Sequence, residues 1–335
     1  MITKNTQRSP KRELSWRELL LKSIVSPHQL ADFFPVDIDA VQRVNELYPM
    51  RINPYYLSLI RDQGDPLWIQ AVADIRELQD HSAMQSDPLL EEGQSPVPHL
   101  IHRYPDRVVF LVSSQCAMYC RHCMRKRRVG RGIRITPKSL EKGIHYIRST
   151  PVIREVILSG GDPFMLADDH LEYILRAIRM IPHVEILRVH SRVPCVLPQR
   201  ITVGLVRMLR RFHPLYINIQ FNHPNEITPE SATACARMAD AGIPLGSQTV
   251  LLKGVNDDAD VMTNLMRNLV KIRVKPYYLH HGDPVSGTGH FRTTIAKGKE
   301  IMRALYAAIP GEAIPQYVID LPGGGGKVPL DPNDS

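Results

Sequence analysis

Three cysteines stand close together in Cys116-Ala-Met-Tyr-Cys120-Arg-His-Cys123, spaced C-x3-C-x2-C. Thiolates are soft ligands that suit zinc and iron–sulfur clusters. A structural zinc ion takes four ligands in a closed tetrahedron. No fourth cysteine lies nearby, and His122 is the residue that could complete such a set. Three thiolates can instead hold three irons of a cubane and leave the fourth iron open, which fits the spacing better. Cys195 and Cys235 are isolated and read as small buried hydrophobes. The basic run from Arg121 to Arg134 surrounds the cysteines, and cations there suit anionic groups of a ligand.

Two further stretches carry chemistry. Ser159-Gly-Gly-Asp162 reads either as a tight turn or as backbone that a ligand can approach closely. Asp320-Leu-Pro-Gly-Gly-Gly-Gly-Lys327 has the look of a nucleotide-phosphate loop. The match fails, because Leu321 stands where the first glycine of G-x4-G-K belongs and Val328 replaces the Ser or Thr. A lysine on a flexible glycine loop suits Schiff-base chemistry, and equally a solvated terminal turn.

The elements that must position these residues follow from periodicity. From Arg107 onward, apolar runs alternate with amphipathic windows. Strands are expected at Val108–Val112, Glu155–Leu158, Val184–Val189, Leu215–Phe221, Pro244–Leu252 and Val274–Leu279. Helices are expected at Pro137–Arg148, Asp169–Met180, Val203–Arg211, Glu230–Ala241, Asp258–Ile272 and Ile295–Ala308. Regular alternation predicts an α/β fold with a parallel sheet, and six units fall short of the eight of a closed barrel. The expectation is a partial (βα)6 barrel over residues 96–335 with its site at the carboxyl ends of the strands. Those ends carry Ser113 to Cys116, Ser159 to Asp162, His190 to Arg192, Asn222 to Asn225 and His280 to Asp283, with Gln248 inside its strand. Residues 1–95 read as an N-terminal helical extension, with helices at Ser15–Ser23, Asp39–Leu47 and Pro66–Leu78, and a linker from Gln79 to Pro98.

The 335 residues are 43% hydrophobic, ordinary for a globular protein. No apolar stretch approaches the ~20 residues that cross a bilayer. The first residues show no apolar signal segment, so a cytoplasmic location is expected. Five cysteines, three of them clustered, argue against a disulfide framework. The net charge of +8 alone would permit nucleic-acid contact, but nucleic acid is not an expected partner, because Lys327 and the acidic residues near it have no place in that role.

The cysteine spacing resembles the radical S-adenosylmethionine superfamily, in which C-x3-C-x2-C holds a [4Fe–4S] cluster whose open iron binds S-adenosylmethionine. The resemblance implies that Cys116, Cys120 and Cys123 are cluster ligands. It also implies that Gly160, Gly161 and Asp162 bind S-adenosylmethionine, with Ser191, Arg192 and Gln248 as further candidates. Pro105-Asp-Arg107, Cys123-Met-Arg125, Leu197 to Thr202, Phe221 to Thr228 and the glycine–lysine loop are similar, together, to the lysine 2,3-aminomutase family. That resemblance runs from about Pro54 to Pro329. It implies a radical 1,2-amino migration that converts L-lysine to β-lysine, with pyridoxal 5′-phosphate (PLP) carried as a Schiff base on Lys327. It further implies that Arg125 binds the substrate carboxylate and that Asp283 and Asp320 bind the distal ammonium. A one-electron donor such as flavodoxin or ferredoxin is implied, and a homo-oligomer is an open expectation. Arginine or ornithine remains an alternative substrate, and supply of β-lysine for elongation factor P modification an alternative role. The clostridial type carries a zinc-binding C-terminal extension. Here Asp258 stands where its partner cysteine would be, so no structural zinc is expected.

Overall fold

The computed structural model describes residues 14–79 and 82–333. Nine strands form one sheet in chain order. They are β1 (Leu100–Tyr104), β2 (Arg107–Ser113), β3 (Glu155–Gly160), β4 (Ile186–Ser191), β5 (Leu215–Ile219), β6 (Leu245–Leu251), β7 (Lys275–His281), β8 (Gln316–Leu321) and β9 (Gly326–Pro329). Strands β2 to β8 are parallel, and β1 and β9 close the two edges in antiparallel fashion. Strand order equals chain order because each crossover steps to the next position in the same hand.

The extension that precedes the sheet holds α1 (Trp16–Leu21), α2 (Pro27–Ala31), α3 (Ile38–Leu47), α4 (Pro54–Leu59) and α5 (Pro66–Ala71). The crossovers are α6 (Pro137–Arg148), α7 (Asp168–Arg179), α8 (Val193–Val196) with α9 (Val203–Leu209), α10 (Pro229–Asp240), α11 (Ala259–Lys271) and α12 (Ile295–Ala308). The architecture is a partial (βα)6 barrel, its six units being β2 to β7 with their helices. Strand β8 adds a further parallel member that the sequence reading left out.

Helix starts follow their caps. Ser15 and Glu18 form a capping box at the start of α1. The expected helix Pro66–Leu78 breaks after Ala71, and Asp74 caps a separate 3-10 turn at Ile75–Leu78. Helices α2 and α4 begin Ser26-Pro27 and Asn53-Pro54, a cap followed by proline at the first helical position. They are too short for periodicity to reveal. Asp258 caps α11, accepting from the Asp260 and Val261 amides at 2.9 and 3.0 Å.

Residues of the extension and the barrel share one core, in which Val44, Tyr56 and Leu67 belong with Phe110, Val189 and Leu245. Buried charges also join the two. Glu77 accepts from Arg121 Nε at 2.8 Å and from Lys126 Nζ at 2.5 Å. Both cations flank Cys123, so the extension anchors the cysteine loop. Losing one partner of such a buried set costs roughly 3–5 kcal/mol.

Strands of a parallel sheet covered on both faces usually read as unbroken apolar runs. Strand β4 instead alternates, with Leu187, Val189 and Ser191 buried and Arg188 and His190 less so. The polar set lines the barrel interior, where Arg188 pairs with Glu155 of β3 and Asn218 of β5 lies 3.4 Å from His190. The seam between the sheet edges is bridged by side chains. Arg103 of β1 reaches the Leu321 carbonyl and the Asp320 carboxylate of β8.

Candidate active site

The cysteine loop leaves the carboxyl end of β2. The thiols of Cys116, Cys120 and Cys123 lie within electrostatic reach of one another. Burial raises the Cys116 thiol well above its usual range, with help from Asp162, Cys123 and Cys120. Burial, then Cys120, pushes Cys123 up to about 11. All three cysteines are half-buried, and a bound metal centre would stabilise their thiolates, opposing the shifts of Cys116 and Cys123. Cys120 Sγ also accepts from Arg192 Nη1 at 2.7 Å. His122 faces Asn222 Nδ2 at 3.1 Å through Nε2, while its buried Nδ1 has no partner. The donor set is thus three thiols, and it fits a cluster with one open iron.

The glycine pair lies against this loop rather than in open space. A Cβ on Gly160 would stand 2.3 Å from the Ser113 carbonyl, and one on Gly161 would stand 2.4 Å from the Gln115 carbonyl. The Gly161 amide donates to Ser113 O at 2.6 Å, and Asp162 N donates to Gln115 O at 2.7 Å. Any larger residue would therefore push β3 away from the approach to Cys116. Asp162 is buried, and its carboxylate accepts from Ser191 Oγ at 2.8 Å and from the amides of Arg192 and Val193 at 2.7 and 3.2 Å. Burial raises it to about 6 despite those bonds. Asp162 thus ties the end of β3 to the end of β4. Arg192 is held by Gln70 and Glu226 at 2.6 and 2.7 Å while it touches Cys120. Gln248 sits within β6, opposite Tyr278 of β7.

Arg125, two residues beyond Cys123, points to the barrel wall. Its Nη1 lies 3.3 Å from Ser159 Oγ at the end of β3. Its Nε and Nη2 donate to the two carboxylate oxygens of Glu91 at 3.0 and 2.7 Å. Gly160, Gly161, Ser113 and Arg125 line one small cavity together, so the cysteine approach, the glycine pair and the guanidinium meet.

The glycine–lysine stretch is a β-hairpin, which corrects the expectation of a flexible loop. Asp320 on β8 stands directly opposite Lys327 on β9. Gly323, Gly324 and Gly326 have φ of +63°, +90° and +76°, conformations that side chains resist. The turn needs those glycines, and in return it holds Lys327 in fixed register. Lys327 Nζ lies 2.9 and 2.7 Å from the two Asp320 oxygens. Burial works against the Asp320 charge, but His280 and Lys327 outweigh it and hold the carboxyl down at about 2. His280 Nδ1 lies 3.5 Å from Asp320, and burial favours its neutral form. Asp283, just beyond β7, behaves in the opposite way: burial, then the Asp320 charge, raises it to about 7.

The structure therefore gathers the cysteines, Arg125, the glycine pair, Asp162, Ser191 and Arg192 on one side of the mouth. Lys327, Asp320 and Asp283 gather on the other. Sequence reasoning missed Glu91, Arg103 and Arg188, whereas His190 and His280 stand at the strand ends where it expected them. His190 lies between the two groups, its charged form disfavoured by burial first and then by Arg188, Lys327 and Arg125. The alternation Arg188–His190, a polar residue at every second position of a buried strand, was the available signal.

Comparison with known proteins places this geometry. Residues 110–265 match the radical SAM superfamily. The chain is 49% identical over 324 residues to the L-lysine 2,3-aminomutase of Acetoanaerobium sticklandii, covering 95% of this chain and 78% of that one. It is 33% identical over 339 residues to the L-lysine 2,3-aminomutase of Escherichia coli, covering 99% of this chain and 97% of that one. It is also 45% identical over 295 residues to the glutamate 2,3-aminomutase of Clostridioides difficile, covering 87% and 70%.

Proposed function

The chain belongs to the L-lysine 2,3-aminomutase family of radical S-adenosylmethionine proteins, and from that premise we propose that it moves the α-amino group of L-lysine to the β-carbon, giving β-lysine. It is an isomerase whose cofactors are a [4Fe–4S] cluster, S-adenosylmethionine and PLP. Bound together, these groups supply a carbon-centred radical and a conjugated ring able to delocalise an unpaired electron.

The protein's own residues do the rest. Cys116, Cys120 and Cys123 hold the cluster, and Arg192 donates toward it through Cys120. The Gly160–Gly161 step and the Asp162–Ser191–Arg192 tie keep the ends of β3 and β4 at fixed spacing where S-adenosylmethionine would bind, and Gln248 on β6 is a further candidate for it. Lys327 carries PLP. Arg103, with an unpartnered buried Nε, and the neighbouring Arg107 and Arg188 supply cations for its phosphate. Arg125 receives the α-carboxylate, and Asp283 and Asp320 receive the ε-ammonium.

Relatives acting on lysine and on glutamate are both close in sequence, so the substrate rests on the distal pocket. One observation carries the choice. Asp283 is a largely buried carboxylate beside a second carboxylate, and burial, then the Asp320 charge, raises it to about 7 against the weaker pull of Lys327 and Arg103. A substrate ammonium relieves that cost, whereas a glutamate side chain would add a third negative charge. Arginine and ornithine would meet the same carboxylates and are the second reading. Anaerobic, reduced, cofactor-loaded protein should be offered L-lysine, L-arginine, L-ornithine and L-glutamate. A β-isomer of lysine in excess over the others is expected, and a β-isomer of glutamate alone would refute the assignment.

The partner at the cluster is a one-electron donor of the flavodoxin or ferredoxin type, supported by the exposed cations Arg131, Arg134 and Lys138 that follow the cysteine loop. A cytoplasmic location is part of the same proposal. The described residues contain no helix long and apolar enough to cross a membrane.

A further inference from the structure

We propose that Glu91 is a positioning residue, which grips one edge of the Arg125 guanidinium so that the other edge is presented to the α-carboxylate of the substrate. The inference rests on Arg125 being the carboxylate-binding residue.

Three observations carry it. The first is geometric. Glu91 takes Nε and Nη2 of Arg125 in a fork at 3.0 and 2.7 Å, and leaves Nη1 with only the 3.3 Å contact to Ser159 Oγ. With Nε and Nη2 engaged on one side, a guanidinium keeps one further two-donor edge, formed by Nη1 and the second Nη2 hydrogen, so one carboxylate can hold it while another is bound there. Both side chains are nearly buried, at 13% and 8% exposure.

The second is that Glu91 is itself fixed. Asp87 accepts from the Glu91 and Glu92 amides at 3.1 and 3.0 Å, which sets the turn. Arg127 donates to Glu91 at 3.4 Å and pairs with Asp87 at 2.9 Å. Arg127 also donates to Glu92 at 3.2 Å, so two arginines and three carboxylates form one network. Burial opposes the Glu91 charge, and Arg125 and Arg127 more than offset it.

The third is the course of the chain. Leu90, immediately before Glu91, has φ of +56°, which a leucine adopts only when its surroundings require it. The same segment is pinned near the other end of the site. The Gln85 amide donates to the Pro284 carbonyl and the Ser286 amide donates to the Gln85 carbonyl, each at 2.9 Å. The tip of Leu90 lies against Gly323 of the lysine hairpin. One strap therefore touches the Arg125 side, the Asp283 loop and the turn that carries Lys327. Its placement of Glu91 is set by the site it crosses.

Charge alone predicts the opposite behaviour. If Glu91 only competed for Arg125, removing its charge would tighten binding of any carboxylate. The sign of the effect decides between the roles. The experiment uses PLP-loaded protein without S-adenosylmethionine, so that binding is read without turnover. Glu91→Gln keeps the shape and removes the charge. L-lysine and 1,5-diaminopentane, which is lysine without its carboxylate, are titrated calorimetrically into wild type and variant. The expected result is a roughly 10- to 100-fold weaker Kd for lysine, as for loss of a partner that orients a binding group, with the diamine within twofold. Unchanged or tighter lysine binding overturns the proposal, and so does equal weakening of both ligands, which would mark a purely structural role. Arg125→Ala is the control for the premise. If it leaves lysine binding intact, the reading of Arg125 fails. If it weakens lysine while Glu91→Gln does not, only the inference about Glu91 fails.

Discussion

The two ends of the site are each filled by an internal ion pair, and the pairs differ in kind. At the carboxylate end, Arg125 is paired with Glu91, and a second arginine and a capping aspartate brace that carboxylate. At the ammonium end, Asp320 is paired with Lys327 across a hairpin, and Lys327 is also the residue assigned to carry PLP. The first pair is compatible with bound substrate, because one side of the guanidinium is left over. The second is not, because an amine that carries PLP no longer presents a full ammonium to Asp320. If Lys327 carries PLP, Asp320 would lose that ammonium partner and could face the substrate, while the carboxylate end needs no such change. A permanent partner orients a binding group, whereas a temporary one keeps a buried charge neutralised until the ligand arrives.

The largest expected effect comes from removing the temporary partner. Lys327→Ala should abolish the visible absorbance of protein-bound PLP and reduce aminomutase activity below detection. Its cost in stability should stay within about 1 kcal/mol, because the pair is partly exposed and Asp320 keeps Arg103 and His280. Retained absorbance would place the PLP lysine elsewhere.

Removing the binding group that the permanent partner orients should reverse that pattern. Arg125→Ala leaves Glu91 buried with only the longer Arg127 contact. A loss of about 3 kcal/mol in urea unfolding is expected, together with a lysine KM raised roughly 100-fold, the cost of a misplaced substrate. Equal stability losses in the two variants would erase the distinction between the ends.

Proton binding gives a smaller effect confined to the ammonium end. Asp283 titrates at about 7 in the free protein, raised by burial and then by Asp320. Below that pH it is neutral and holds a cation poorly. The lysine KM should rise as pH falls through 7, by roughly tenfold per unit once the group is mostly protonated. Asp283→Asn should raise KM throughout and flatten this limb. An unaltered limb in that variant would assign the titration to another group.

The smallest change should be Ser159→Ala, which removes the 3.3 Å contact on Arg125 Nη1. A long neutral hydrogen bond contributes about 0.5 kcal/mol, so a KM shift of less than about threefold is expected in steady-state assays. A larger shift would mean that Ser159, rather than Glu91, orients the guanidinium.

The parts of this site that were legible in the sequence are those whose residues are near neighbours in the chain. The C-x3-C-x2-C loop, Arg125 behind it and Ser159 to Asp162 each follow a strand whose apolar run is plain. The six βα units were legible for the same reason. Strand β4 was placed two residues early, because pairing of Leu187 with Leu215 sets its register, and local hydrophobicity does not. Strand β9 escaped because four glycines read as loop, although the left-handed dihedrals of Gly323, Gly324 and Gly326 are what a tight hairpin needs. Glu91 escaped for a different reason. It lies in an Asp-, Glu-, Ser- and Pro-rich stretch that reads as linker, and its partner is 34 residues away. Composition describes such a segment as solvated, and only the fold brings it onto Arg125.

The central claim is that nitrogen moves from the α- to the β-carbon of lysine while the distal ammonium stays bound to the aspartates. L-lysine labelled with 15N at the α-amino group, incubated anaerobically with reduced, cofactor-loaded protein, tests it directly by NMR of the product. The account predicts β-lysine with the label on Cβ and an unlabelled ε-nitrogen. Label released as ammonia, label retained on Cα, or migration of the ε-nitrogen would contradict it.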